Sequence, residues 1–314
     1  MGRRDLPDDA GRPVEAMTGP AAADTTPTDV RSFDGTRLAL SVWGPEEAPV
    51  VVLVHGLGLS IESWGEVPEL LADRHRVLGY DLRGHAQSGD ARSGGYDLEA
   101  HARDLDAVLT ACLPEGRRAV VAGHSFGGGI ILATARLVGT ERMAGVVFAG
   151  SGGSGVTAPG LPARRLPHGV QAAAQKGWFR VLRVTALVGR RLRPVKAVSD
   201  RLVRRAAFAA DAPEDAVAQV RDSFLTTRPL ALAGTTMASV NHDGIRLAPY
   251  LDVPTLVLHG RNDPEVPPDD LQELMTALPD GEAVQMPGAG HMLPLLHPHV
   301  VAEQIARWAA RTSG

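Results

Sequence analysis

Between Ala119 and Gly129 the chain reads Ala-Val-Val-Ala-Gly-His-Ser-Phe-Gly-Gly-Gly, which sets Ser125 midway between Gly123 and Gly127, directly behind a run of small and β-branched apolar residues. Such a run predicts a strand buried on both faces of a parallel sheet, and Phe126 to Leu137 carries helical periodicity. A strand that turns at once into a helix leaves no room for side chains beside the turn, so glycine is needed two places either side of the serine. The turn thrusts Ser125 out above the sheet at the helix N-terminus. Backbone N–H groups and the helix dipole there favour developing negative charge.

A serine hydroxyl is a poor nucleophile unless a base takes its proton. Of the eleven histidines, His291 fits best. It stands in Pro287-Gly-Ala-Gly-His-Met-Leu-Pro294, a Gly-rich loop before the last helix, and follows Ser125 in the chain order that this chemistry uses. His297 and His299 fall at the start of the closing helix. His124, beside the serine, points away from it in a formed elbow. His101, His168 and His242 read as ordinary polar positions on helices or in the insertion described below. The acid that orients the base should close a strand between serine and histidine. Thr255-Leu-Val-Leu-His-Gly-Arg-Asn-Asp263 supplies it, and the Asp263 carboxylate would fix the imidazole tautomer. Asp269 and Asp270 read as the start of a helix, Asp252 precedes the strand at its wrong end, and Asp243 lies in a loop. Donors for an oxyanion are expected from the backbone N–H groups of Leu57 and Phe126. The glycines of Val54-His-Gly-Leu-Gly58 let the backbone approach a substrate, with His55 orienting that loop and Gly56 and Gly58 giving it freedom.

The rest of the chain alternates. Residues 36 to 44, Val50 to Val54, Arg76 to Tyr80, Arg118 to Ala122, Gly145 to Ala149, Thr255 to Leu258 and Ala283 to Met286 read as strands; Asp97 to Leu113, Phe126 to Leu137 and Val300 to Arg311 read as helices. This is an α/β chain with a mostly parallel sheet covered on both faces. The alternation stops over residues 151–241, a helical insertion without strand-like runs. The expected organisation is therefore a disordered tail over 1–28, a core of 29–150 and 242–314, and a cap or lid of 151–241. The insertion carries twelve Lys or Arg between Arg164 and Arg205 against one acid, Asp200, although the whole chain of 314 residues has a net charge of −4. Such asymmetry concerns partners, not fold.

The one cysteine, Cys112, sits at helical spacing from Leu105, Val108 and Leu109 and reads as a small buried hydrophobe. Folding cannot depend on an internal disulfide. The first residues lack the apolar core of a secretory signal, which predicts a cytoplasmic protein.

Gly123-His-Ser-Phe-Gly, His55-Gly56, Asp263-Pro-Glu-Val-Pro267 and Gly290-His291 together resemble the α/β-hydrolase superfamily, and Tyr80-Asp-Leu-Arg-Gly-His-Ala-Gln-Ser-Gly89 resembles its loop after the next strand. The likeness runs from about Arg31 to the C-terminus and, within the superfamily, is similar to the actinobacterial esterase, lipase and cofactor-free haloperoxidase group. It implies an eight-stranded, mostly parallel sheet with a helical cap over the site. Two positions depart from the pattern. Ala86 stands where the family usually has glycine. Gly58 stands where haloperoxidase and perhydrolase members typically carry proline, which makes peracid chemistry less favoured. Ser125 argues against dehalogenases and epoxide hydrolases of this fold, which use Asp as nucleophile.

The resulting expectation is a serine hydrolase that cleaves a small-molecule ester with a hydrophobic acyl or alcohol group, using Ser125, His291 and Asp263, through an acyl-enzyme and with no metal or organic cofactor. In the insertion, Trp178, Phe179 and Phe208 would help line an apolar pocket. A thioesterase or acyltransferase is the alternative that the basic insertion favours, since it would attract an anionic membrane surface, a phosphate-bearing thioester or an acidic carrier protein. A receptor that binds without turnover is the reading of another class. A nucleic-acid partner is not expected, because the rest of the chain is acidic and would repel phosphates.

Overall fold

The computed structural model describes residues 28–91, 95–151 and 212–312, with isolated positions between 170 and 208. Residues 1–27 of the expected tail, His168, Trp178, Phe179 and most of the basic run lie outside the described residues.

Successive side chains of the sheet enter different cores. Val50, Val52 and Val54 join one apolar cluster, while Val51 and Leu53 join another. This is the period of two that a strand imposes, and it separates the two faces that the helices cover. The strands are β1 (Thr28–Arg31), β2 (Arg37–Trp43), β3 (Val50–Val54), β4 (Arg76–Tyr80), β5 (Ala119–His124), β6 (Met143–Ala149), β7 (Thr255–Gly260) and β8 (Gly281–Met286). They form one eight-stranded sheet in the order β1-β2-β4-β3-β5-β6-β7-β8. β1–β2 and β2–β4 pair antiparallel; every later pair is parallel. The expected mostly parallel sheet is therefore present. The strands of its middle are buried along their whole length, which is why they read as unbroken apolar runs rather than alternating ones.

The helices of six or more residues whose bounds lie among the described residues are α1 (Val67–Ala72), α2 (Leu98–Cys112), α3 (Phe126–Val138), α4 (Glu214–Thr226), α5 (Pro229–Asn241), α6 (Pro268–Ala277) and α7 (Pro298–Thr312). Residues of α2, α3 and α6 share a cluster with Val50, Val52 and Val54, whereas α1 and α7 share the other. Asp97 caps α2 by accepting from the Ala100 N–H at 2.8 Å, a bond worth about 1 kcal/mol. Two elements escaped the sequence reading: β1, a short edge strand inside a polar stretch, and α1, a six-residue helix with proline in its first turn. Of α6 only the start, at Asp269 and Asp270, was read.

The loop between β4 and α2 is fastened by a buried ion pair. Arg83 donates from Nε and Nη2 to the two carboxylate oxygens of Asp104, each at 2.6 Å, with both side chains fully buried. Its Nη1 also donates to the Gly95 carbonyl at 2.8 Å. Asp104→Ala would leave a guanidinium without its main partner in the interior, which costs about 3–5 kcal/mol. A fall of that size in the urea-denaturation free energy is expected, with Asp104→Leu in an Arg83→Met background recovering much of it. If Asp104→Ala unfolds within about 1 kcal/mol of the parent, the pair does not fasten the loop. In the same loop Ala86 has φ +32°, a left-handed conformation that explains the family's preference for glycine there.

Candidate active site

Ser125 links β5 to α3 with φ +52° and ψ −120°, a strained conformation for a side chain that costs on the order of 1–3 kcal/mol. The surroundings enforce it. A Cβ on Gly127 would lie 2.4 Å from the Val54 carbonyl oxygen, and one on Gly123 would lie 2.7 Å from the Gly127 backbone. The Ser125 N–H donates to the Ala149 carbonyl at 3.1 Å. The Ser125 carbonyl accepts from the Ser151 hydroxyl at 2.9 Å. The elbow is thus clamped between β3, β5 and β6, as the glycine spacing predicted.

His291 and Asp263 meet at the end of β7. Nδ1 of His291 lies 2.9 Å from Oδ2 of Asp263, and both side chains are almost fully buried. The other oxygen of Asp263 accepts the Glu265 and Val266 N–H groups at 2.8 and 3.0 Å. The carboxylate is therefore fixed by its own loop, and its contact requires a proton on Nδ1 of His291. Burial pushes the Asp263 carboxyl up, but the His291 ring and these backbone donors outweigh it and the net direction is down. Burial opposes charge on His291, yet the carboxylates of Asp263 and Glu265 outweigh that too, and its pKa is raised to about 9.

Glu265 is a residue that the sequence reading passed over. Its Oε2 lies 3.2 Å from Nε2 of His291. Burial, the largest effect, pushes the Glu265 carboxyl up. Among the described residues no hydrogen bond joins the Ser125 hydroxyl to the His291 ring. The only sequence signal was an acid two places beyond Asp263, which looks like any polar loop residue.

Three neutral histidines hold the backbone around Ser125. His55 donates from Nδ1 to the Gly56 carbonyl at 2.8 Å, and its Nε2 accepts the Leu82 N–H at 2.9 Å. His85 donates to the Arg83 carbonyl at 3.0 Å and accepts the Gly58 N–H at 3.3 Å. His124 donates from Nε2 to the His291 carbonyl at 3.2 Å. Burial drives their pKa values down to about 4, 3 and 3 respectively. His55 thus ties its own loop to the loop after β4, while the bonds made by His85 were missed. His124 lies with its ring 5.1 Å from that of His291, bonded to its backbone. His101 is not the ordinary polar position expected of it. It is fully buried, with Nε2 3.1 Å from the Thr235 hydroxyl of α5 and its ring edge-on to Phe126. His242, also expected to be ordinary, packs against Phe126 as well.

The N–H groups of Leu57 and Phe126 donate no hydrogen bond among the described residues. Helix α4 covers their loop. Phe224 crowds Gly58, and the Thr227 hydroxyl approaches the Gly58 carbonyl at 3.4 Å. A cavity of about 900 Å³ opens between Trp43, Ile61 and Pro68 on one side and Gln219, Val220 and Ser223 of α4 on the other. Ser125, His291 and Asp263 are not in its lining. It adjoins the loop at Leu59 and Ser60.

A family model described as the alpha/beta hydrolase family matches residues 51–304. The chain is 29% identical over 280 residues to a non-heme chloroperoxidase of Burkholderia pyrrocinia, covering 83% of this chain and 92% of that one. A non-heme chloroperoxidase of Streptomyces lividans is 39% identical over 101 residues, which span 32% of this chain but only 36% of that relative's length. Among solved structures, a thermophilic esterase from Thermogutta terrifontis, malate bound, is similar with a TM-score of 0.73 at 25% identity, covering 91% of this chain and 98% of that one. The chain belongs to the alpha/beta hydrolase family. It is an enzyme of the hydrolase type.

Proposed function

We propose that the enzyme cleaves a carboxylic ester through Ser125, His291 and Asp263. The observation that carries this reading is the buried 2.9 Å contact between His291 Nδ1 and Asp263 Oδ2, beyond the carboxyl end of β7, as a serine held at φ +52° lies beyond the carboxyl end of the parallel strand β5. Ser125 Oγ attacks the acyl carbon while its proton passes to His291 Nε2. The oxyanion is met by the N–H groups of Leu57 and Phe126. The C–O bond to the alcohol breaks, and His291 returns the proton to that oxygen. Water then attacks the acyl-enzyme by the same route, releasing the acid and restoring Ser125. Asp263 holds the tautomer and stabilises the imidazolium.

Residues 151–241 form the cap in this reading, with α4 and α5 seated over the loop of Gly58 and over Phe126. The buried Phe208 belongs to an apolar cluster with Leu59, Val217, Val220 and Met292, which suits a hydrophobic acyl or alcohol group. Peracid chemistry, suggested by the relatives named chloroperoxidase, is disfavoured. Gly58 has φ +68°, which the ring of proline cannot adopt, so this loop differs from one built on proline.

Hydrolysis of p-nitrophenyl esters from acetyl to palmitoyl tests the reading. Turnover with an optimum at some chain length is expected, together with labelling of Ser125 by a phosphonate. Near-background rates without labelling would sink it. A preference for CoA thioesters that weakens steeply with salt would move the assignment to a thioesterase drawn to anions by the basic stretch.

A further inference from the structure

In acyl transfer, Nε2 of His291 is the atom that must take the serine proton, because Nδ1 is committed to Asp263. In this protein Nε2 faces a second carboxylate, Glu265, at 3.2 Å. The two side chains are 3% and 15% exposed, so water screens the pair weakly. Glu265 makes no other ion pair among the described residues. The remaining titratable groups around the ring do not compensate. Asp263 adds a second negative charge on Nδ1. His124 of β5 is neutral and bonds the His291 carbonyl. His259 of β7 is shifted toward the neutral form, chiefly by burial.

We propose that Glu265 is a positioning residue that pairs with His291 in the substrate-free protein and must be displaced before the ring can serve Ser125, an inference that rests on the serine-hydrolase reading above. A ring flanked by carboxylates at both nitrogens is held as imidazolium, which cannot accept a proton. The pKa of about 9 is consistent with this arrangement. A substrate seated on Ser125 brings its leaving oxygen to Nε2, and the Glu265 carboxylate then turns aside. The base is thereby restrained until substrate arrives.

The test compares wild type with Glu265→Gln, using the shorter acid of Glu265→Asp as a second variant should the amide fail to fold. The probes are the pH profiles of kcat and kcat/KM on a p-nitrophenyl ester and the titration of ¹⁵N-labelled His291 by NMR. The acid limb of kcat/KM reports the free enzyme, and that of kcat the complex. In wild type the kcat/KM limb should lie above the kcat limb. Loss of an opposite charge moves such a pKa by about 1–3 units. Glu265→Gln should therefore lower both the His291 titration and the kcat/KM limb by about 1–2 units and bring the two limbs together, a gain of about 10- to 100-fold in kcat/KM near pH 6. Glu265→Asp should fall between. An unmoved His291 titration overturns the proposal, as does a moved titration with an unmoved kcat/KM limb. The serine-hydrolase reading is judged separately, by phosphonate labelling of Ser125 in both proteins.

Discussion

Ser125→Ala should hydrolyse p-nitrophenyl esters about 10⁵- to 10⁶-fold more slowly than the wild type, with the loss confined to kcat. The size of the effect follows from the unit that serine and base form, since without Oγ the ring has no proton to take and no covalent intermediate forms. What survives should be the catalysis that the Leu57 and Phe126 N–H groups and substrate binding supply alone, about 10³- to 10⁴-fold over water. Stability should barely change, because alanine meets the same backbone strain at φ +52° that serine does. Steady-state kinetics beside a thermal melt check both points. A variant that keeps more than about 1% of wild-type kcat would show that Ser125 is not the nucleophile.

Asp263→Asn should lower kcat about 10⁴-fold at neutral pH. The reason lies in the bonds of the carboxylate. One oxygen accepts two backbone N–H groups, from Glu265 and Val266, and the other faces His291 Nδ1. An asparagine keeps its carbonyl oxygen toward the backbone donors and turns its NH₂ toward Nδ1. That nitrogen must then accept, the ring proton moves to Nε2, and Nε2 can no longer take a proton from serine. The His291 pKa should fall as well, because one of the two carboxylates that raise it is gone. A loss of less than about tenfold would mean that Asp263 does not set the tautomer. Comparison with Asp263→Ala would separate the wrong-tautomer effect from simple loss of charge.

Much of the fold was legible because it depends on local rules. The central strands are buried on both faces, so β3, β5, β6 and β7 stand out as apolar runs bounded by glycine and turn residues. β1, by contrast, is an edge strand of four polar and apolar residues, Thr28–Arg31, whose pairing with β2 no local pattern announces. Helix α1 is six residues long, too short for a clear 3.6-residue period, and of α6 only the acidic start at Asp269 and Asp270 was legible. Ser125 was readable for the same reason as the strands. The glycines that permit its turn must lie two places either side of it in the chain, so the constraint is written locally.

His291, Asp263, Glu265 and His85 belong to another category. The sequence could rank His291 and Asp263 by their order and by the loops that carry them. It could not show that Glu265 faces Nε2, that His85 holds the Gly58 N–H, or that His101 lies buried against α5. His85 and Gly58 are 27 positions apart, and His101 and Thr235 are 134 apart. Whether an imidazole in such a place donates, accepts or carries charge depends on which groups packing brings within about 3 Å and on how much water it removes. By itself the sequence determined the strand-to-helix elbow and the sheet that supports it, because short-range sterics and side-chain period govern them. Only the tertiary structure decided which carboxylates flank His291 and which histidines are buried against backbone partners, because ion pairing and desolvation arise between segments that are neighbours only after folding.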